Sequence, residues 1–276
     1  MVEVFKIGHY AIYLFGLTIV IGMIVGIFIM TKEAKRKGSN VDNLTDLAIY
    51  TIISALIGAR LYYVIAFNFK YYIQNPKNIL AFRDGGLSIQ GALIFGILFA
   101  LWYTKKKGIN FGKAADAFAL GIIMGQAIGR IGCDVFGITM DKVYFWGVKV
   151  NNQLLHPAQL YEAILNLLLF TYLWSTRDKI KYDGQLFIKY IIGFSIIRGM
   201  VEFFRVNPIV IGPFTIAHVT SAAIIVCAIL LNYIMKRNNK NYQVNQSGEG
   251  SITPVAHYIG VIIIGAIGIL VYYSVH

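Results

Sequence analysis

The stretch Arg198-Gly199-Met200-Val201-Glu202-Phe203-Phe204-Arg205 closes an apolar run that begins at Leu186. Spacings of i, i+4 and i+7 place Arg198, Glu202 and Arg205 on one face of a helix. A charge at bilayer depth costs about 2.5–3.5 kcal/mol on insertion scales, so such residues face a bundle interior or a wet cavity. Long side chains at a helix end also snorkel to the interface. Where the other intramembrane polar residues fall decides between the two.

Composition makes the surrounding chain an integral membrane protein. Of its 276 residues, 57% are hydrophobic and 14% charged, against about 25% charged in a soluble domain; the mean hydropathy is +0.64. A net charge of +12 could suit nucleic acid, but the Lys and Arg lie mostly in short loops between apolar runs. That is a topology signal and an attraction to anionic headgroups, so the expected partner is membrane and not nucleic acid. Cys133 and Cys227 sit in apolar surroundings and give neither a disulfide framework nor a metal spacing, so no metal and no cofactor is expected. The first apolar run is too long for a signal peptide and no small-residue cleavage site follows it.

A span needs about 20 mostly apolar residues. Eight stretches qualify: 9–31, 44–67, 86–104, 113–137, 158–175, 184–204, 213–235 and 257–274. Lys32, Lys35, Arg36 and Lys37 follow the first, Lys105 to Lys107 the third, Arg177, Lys179 and Lys181 the fifth, and Lys236, Arg237 and Lys240 the seventh. The alternate loops are longer and sparser in charge (Lys70, Lys77, Arg83; Lys142, Lys149). The positive-inside bias therefore predicts an extracytoplasmic N-terminus and cytoplasmic Lys-rich turns. Residues 68–85, aromatic and carrying an Asn75-Pro76 turn signal, read as an interfacial segment. Val143, Phe145, Val148 and Val150 alternate before Asn151-Asn152, which predicts a small extracytoplasmic hairpin in a head segment at 138–157. Residues 1–235 form one transmembrane core, 236–254 a cytoplasmic linker, and 255–276 an accessory last helix, rich in glycine and without charge.

With this orientation, Arg60 falls late in the second span and Gly85, Gly86, Gln90 and Gly91 open the third. Gln126, Arg130 and Asp134 end the fourth, Gln159, Glu162 and Asn166 start the fifth, and Arg198, Glu202 and Arg205 end the sixth. All lie in the outer half; Asp46 and Asp116 begin spans at the inner surface. Interhelical polar glue, worth about 0.6 kcal/mol a contact, does not require four arginines and two glutamates at one depth. Inward-facing guanidiniums near the headgroup level describe a phosphate pocket held by planar bidentate donors. The glycines at 85, 86, 91 and 96 allow close backbone approach, of helix to helix or of backbone to ligand.

These residues also carry a family resemblance. Gly58-Ala59-Arg60-Leu61-Tyr62-Tyr63-Val64, Asn75-Pro76 leading to Gly85-Gly86-Leu87-Ser88-Ile89-Gln90-Gly91, Asp116 before Gly129-Arg130-Ile131-Gly132, His156-Pro157-Ala158-Gln159-Leu160-Tyr161-Glu162 and Arg198 to Arg205 occur in that order. The chain thereby resembles the bacterial prolipoprotein diacylglyceryl transferases over about residues 10–235. The resemblance implies an all-α protein of the cytoplasmic membrane, with a seven-helix core to which the eighth helix is an addition. It also implies transfer of the diacylglyceryl group of phosphatidylglycerol to the lipobox cysteine of a prolipoprotein signal peptide, with release of glycerol-1-phosphate. Arg130 and Arg198 would then hold the phosphate and Glu202 would orient Arg198. Arg60, Glu162 and Arg205 would shape the pocket, with Gly85, Gly86, Gln90, Gly91, Gln126 and Gln159 around the substrate.

Four positions depart from the family pattern. Gln90 stands where many members have histidine or tyrosine, and an amide is no base near pH 7. Cys133 replaces an asparagine, Ile138 a glutamate and Phe15 a tyrosine. Three readings fit: a transferase using another base (Glu202, Asp134, His156 or His218) or a thiol ionised unaided; a paralogue that binds phospholipid but uses another acceptor, Cys133 included; and a non-catalytic lipid binder.

Overall fold

All eight apolar stretches are helical in the computed structural model, which describes residues 2–8, 10–81, 85–238 and 254–275. The helices are Leu14–Arg36 (α1), Val41–Phe67 (α2), the short Phe69–Gln74 (α3), Ile89–Lys106 (α4), Phe111–Ile131 (α5), Ala158–Thr176 (α6), Gln185–Glu202 (α7), Ile216–Asn238 (α8) and Pro254–Val275 (α9). Five of them, α1, α2, α5, α8 and α9, are long and apolar enough to cross a membrane by length and composition. The other three long helices are more polar: α4 carries Gln90, Lys105 and Lys106, α6 Gln159, Glu162 and Asn166, and α7 Lys189, Arg198 and Glu202. Each of these three helices holds candidate site residues, as do α2 with Arg60 and α5 with Gln126 and Arg130. Arg83, a loop cation, and residues 239–253 of the expected linker lie outside the described residues.

At four ends backbone pairing competes with the helix and shortens it relative to the sequence reading. The first helix begins at Leu14, not residue 9, because Glu3–Ile7 (β1) and Tyr10–Tyr13 (β2) pair antiparallel about Gly8 at φ 61°. Val4, Phe5, Ile12 and Tyr13 are β-branched or aromatic and suit strands. Ile209–Ile211 (β5) and Phe214–Thr215 (β6) form a similar hairpin about Gly212 and delay α8 to Ile216. Helix α5 stops at Ile131 instead of 137, and α7 at Glu202 instead of 204. The chain beyond α5 pairs Gly137 with Arg205 and Thr139 with Leu155. The expected hairpin is present as Val148–Val150 (β3) and Gln153–Leu155 (β4), turning through Asn151 and Asn152 at φ 50° and 62°, the left-handed pair that matches strand twist. Val143 and Phe145 precede these strands and are 91% and 95% exposed.

The chain forms two units, 38–114 and 1–37 with 115–276. In the first, α2 and α4 pack through Gly58 and Gly91, where any Cβ on Gly91 would run into the Gly58 carbonyl; Ser54 Oγ donates to the Phe95 carbonyl at 3.2 Å. Between these helices stand α3 and a 3-10 turn, Pro76–Leu80, on either side of the Asn75-Pro76 signal.

In the larger unit, α5 is central: two-thirds of its apolar window is buried, against 11–28% in the other spanning helices. Ala119, Leu120 and Ile123 pack against Phe170 and Leu173 of α6 and Leu186 and Ile197 of α7. On its opposite side α5 meets α1 through a glycine seam. A Cβ on Gly22 would lie 2.7 Å from the Gly125 carbonyl oxygen, and one on Gly26 2.8 Å from that of Gly121. Small residues here let backbones touch, the means by which helices associate in lipid, where apolar burial supplies little drive.

At the basic end of this unit, the fully buried Asp116 of α5 accepts from Lys37 Nζ (2.7 Å) and from the backbone N–H groups of Gly184 (3.0 Å) and Phe187 (2.9 Å). It caps α7 from another helix, satisfying donors that a helix start leaves open. Glu33, also buried, is held by Arg36, which reaches on to Asp178 at 2.6 Å. Arg177 lies 3.5 Å over the Trp174 ring, and burial pulls its guanidinium below its ordinary range. Removing one partner of a buried pair costs about 3–5 kcal/mol. Asp116→Ala is therefore expected to lower the thermal stability of the detergent-solubilised protein sharply. Adding Lys37→Met should restore part of the loss, since no charge is then stranded; unfolding curves of the three proteins check this.

Candidate active site

Three polypeptide segments meet where the chain leaves α5. Gly137 N–H donates to the His156 carbonyl (2.8 Å), Ile138 N–H to that of Phe204 (2.9 Å) and Met140 N–H to that of Leu154 (2.8 Å), while His156 N–H returns to Ile138 (3.0 Å). Gly137 allows this: a Cβ there would strike the Phe204 carbonyl and come 3.0 Å from that of His156. The strap 137–140 thereby ties the end of α5 to the start of α6 and to the turn after α7. Those three places carry Arg130, Glu162 and the Arg198–Arg205 stretch.

Arg130 Nε meets Glu162 Oε1 at 2.9 Å. Glu202 Oε2 meets Arg198 Nη2 at 3.1 Å and Arg205 Nε at 3.5 Å. Both glutamates are buried, at 1% and 2% exposure. Glu202 Oε1 also accepts from Asn207 Nδ2 (2.7 Å) and Thr215 Oγ1 (2.8 Å). Helix α7 therefore supplies Arg198 and Glu202 on one face, but Arg205 follows the helix end and returns to Glu202 through a turn. Burial, then repulsion from Arg198 and Arg130, lowers the Arg205 guanidinium from its ordinary range. Three guanidiniums thus face two carboxylates, and the Nη1 groups of Arg198 and Arg205 are buried without a hydrogen-bond acceptor. An anion with several oxygens fits such donors.

The other expected residues divide between the units. Gln126 accepts from Tyr190 of α7 at 3.2 Å, and Gln159, fully buried, donates from Nε2 to Tyr272 of α9 at 2.8 Å. In the smaller unit, Arg60 is 3% exposed and its guanidinium donates to the carbonyls of Asn78, Ile79, Ala81, Gly85 and Gly86 at 2.5–3.1 Å. Gly85 and Gly86 have φ of 80° and 74°, and a Cβ on Gly86 would lie 2.6 Å from Arg60 Nη1. Arg60 thus organises the glycine loop through its carbonyls. Gln90 is exposed and accepts from Ser88 Oγ at 2.5 Å. Gly91 packs on α2.

Of the two candidate histidines, His156 is a joint of the frame. Trp146 Nε1–H donates to Tyr161 Oη (3.0 Å), which also shares a hydrogen bond with His156 Nδ1 (3.1 Å), and the imidazole packs on Phe204 at 5.1 Å. His218 accepts the Thr215 N–H at Nδ1 (3.1 Å), so Thr215 links it to Glu202. Arg130 Nη1 lies 3.9 Å from Cys133 Sγ. Asn207, Thr215 and Tyr272 were not expected from the sequence; Asn and Thr within two short loops give no periodic signal. An apolar cavity of about 510 Å³ is lined by Trp146, Leu160, Tyr161, Ile164, Ile269 and Tyr273, none of them a member of the charged cluster.

Comparison with known proteins agrees with the family resemblance. The family model for prolipoprotein diacylglyceryl transferase matches residues 2–235. A phosphatidylglycerol–prolipoprotein diacylglyceryl transferase of Clostridioides difficile (strain 630) is 41% identical over 229 residues, spanning 82% of this chain and 92% of the relative. The protein of the same name from Bacillus cereus (strain 03BB102) is 33% identical over 257 residues, 87% of this chain and 95% of the relative. The chain belongs to the prolipoprotein diacylglyceryl transferase family.

Proposed function

We propose that this protein transfers the diacylglyceryl group of phosphatidylglycerol to the lipobox cysteine thiol of a prolipoprotein. The observation that carries the reading is the cluster of Arg130, Arg198 and Arg205 about two buried glutamates, with guanidinium N–H groups lacking an acceptor. In the reaction sulfur attacks the glyceryl carbon bonded to phosphate, the C–O bond breaks, and its electron pair stays on the phosphate oxygen. Glycerol-1-phosphate leaves, and the thiol proton ends, net, on that phosphate. Charge grows on the phosphate as the bond breaks, and fixed donors aimed there lower the barrier. Arg130 and Arg198 serve this role. Glu202, with two hydrogen-bond donors on Oε1 and two guanidiniums paired to Oε2, acts by orienting Arg198 and Arg205 rather than by taking the thiol proton. Glu162 orients Arg130. Gln126 and Gln159 shape the surroundings of the lipid in the larger unit, and Arg60, Gly85, Gly86, Gln90 and Gly91 are the substrate-binding candidates of the smaller unit.

In the same reading residues 1–235 are the transferase core, 138–157 its head and 255–276 an accessory helix, in the cytoplasmic membrane with the N-terminus extracytoplasmic. What supports the orientation is the Lys-rich set of alternate turns. In a background without Cys133 and Cys227, a cysteine at Val143 should react with a membrane-impermeant maleimide added to intact cells, and one at Lys106 only after lysis.

Purified protein with phosphatidylglycerol and a lipobox peptide should release glycerol phosphate. Arg130→Ala and Arg198→Ala should each cut the rate by at least about 100-fold, the loss from removing one charge-stabilising donor, while still inserting in the membrane. No release by the wild type would overturn the transferase reading. Gln90→His tests the position where an amide replaces a titratable ring: a large gain in rate means that proton handling limits this enzyme, and an unchanged rate places the proton's path elsewhere.

A further inference from the structure

The family match ends at residue 235, yet the chain continues into an apolar helix whose far end touches the site. Helix α9 starts after the seventh span's basic turn and runs toward the site end of the larger unit. Its Gly268 fits on Ile131, where α5 ends. Ile269 and Tyr273 wall the apolar cavity, and Tyr273 Oη donates to the Trp146 carbonyl of the head at 2.7 Å. Tyr272 is 0% exposed and accepts from Gln159 Nε2 at 2.8 Å. Most of α9 is open to its surroundings, with 11% of its window buried. Val261 and Ile264 pack on the core and Gly265 faces Leu167, while the polar contacts to the site and head come from Tyr272 and Tyr273 of its last turn.

Gln159 lies three residues before Glu162 and seven before Asn166 on α6, and all three are at most 1% exposed. Gln159 Oε1 is buried without a hydrogen-bond partner, as are both side-chain polar atoms of Asn166. An unmet buried polar atom costs about 1–3 kcal/mol, and native interiors keep few of them without a use. With Nε2 committed to Tyr272, the free side of the amide is its oxygen, an acceptor beside the Arg130–Glu162 pair. A glycerol hydroxyl is the complementary donor on a phosphatidylglycerol headgroup.

We propose that Tyr272 is a positioning residue for the transfer reaction, holding the Gln159 amide so that its oxygen meets a hydroxyl of the lipid headgroup, and that α9 is thereby part of the site. This rests on the transferase reading above. Such a contact acts equally in the bound and transition states, so its loss raises KM for phosphatidylglycerol and leaves kcat alone.

The test uses the full-length protein in detergent micelles. Tyr272→Phe and Gln159→Ala should each raise KM for phosphatidylglycerol about 2- to 12-fold, the equivalent of one hydrogen bond, with kcat within two-fold. The double variant should be no worse than Gln159→Ala, because both act through one amide. Ile262→Ala, at an exposed position of the same helix, should match the wild type. An unchanged KM in Tyr272→Phe, or additive effects in the double variant, would overturn the proposal, as would a drop in melting temperature with no change in KM. If the wild type transfers nothing, it is the transferase reading that fails. The rise in melting temperature on adding phosphatidylglycerol still decides the proposal then: Tyr272→Phe should shrink it, and an equal rise overturns it.

Discussion

A carboxylate buried in an apolar bundle is tolerated only when cations or N–H donors meet it, and four such groups pin the larger unit. Glu162 and Glu202 at one end and Asp116 and Glu33 at the other are 0–2% exposed. An ion of this kind without partners costs several kcal/mol even after relaxation, so the helices that carry the partners have to be in register. Glu162 fixes α6 to α5 through Arg130, and Asp116 fixes α5 to α7 and to the end of α1. In lipid, where apolar side chains gain little by leaving their surroundings, these few polar contacts and the glycine seam between α1 and α5 decide which faces meet.

The cation cluster follows from that register. Arg198 and Arg205 repel each other and Arg130, and the carboxylates of Glu202 and Glu162 together with the backbone strap hold them in place. Glu202 in turn is steadied by Asn207 and Thr215. Under the proposed function the site is a set of donors whose positions are settled before any lipid arrives, so little reorganisation accompanies the departure of the phosphate.

Much of this was legible in the sequence. Hydropathy located all eight long helices, and i, i+4 spacing placed Arg198 with Glu202. Asn151-Asn152 marked its hairpin because two left-handed residues are a local requirement. What escaped was non-local. The hairpins before α1 and α8 lie inside or against apolar runs, where strand and helix give the same hydropathy. The strap at Gly137 depends on carbonyls of His156 and Phe204, residues far along the chain. Arg60 was expected to shape the pocket from its depth and its family motif; its five carbonyl partners lie 18–26 residues further on, a distance over which sequence periodicity carries no information. Tyr272 escaped because a lone tyrosine near a helix end reads as an interfacial anchor.

The cap that Asp116 places on α7 also bears on biogenesis. A ribosome delivers α1 with Lys37 first, then α5 with Asp116, and only later the Gly184–Phe187 segment that the carboxylate receives. The ion pair can be assembled in the membrane before its third partner is synthesised, so α7 arrives at a finished acceptor. A nascent chain stalled before residue 184 would hold its most deeply buried acid already neutralised, ready to receive the helix that carries Arg198.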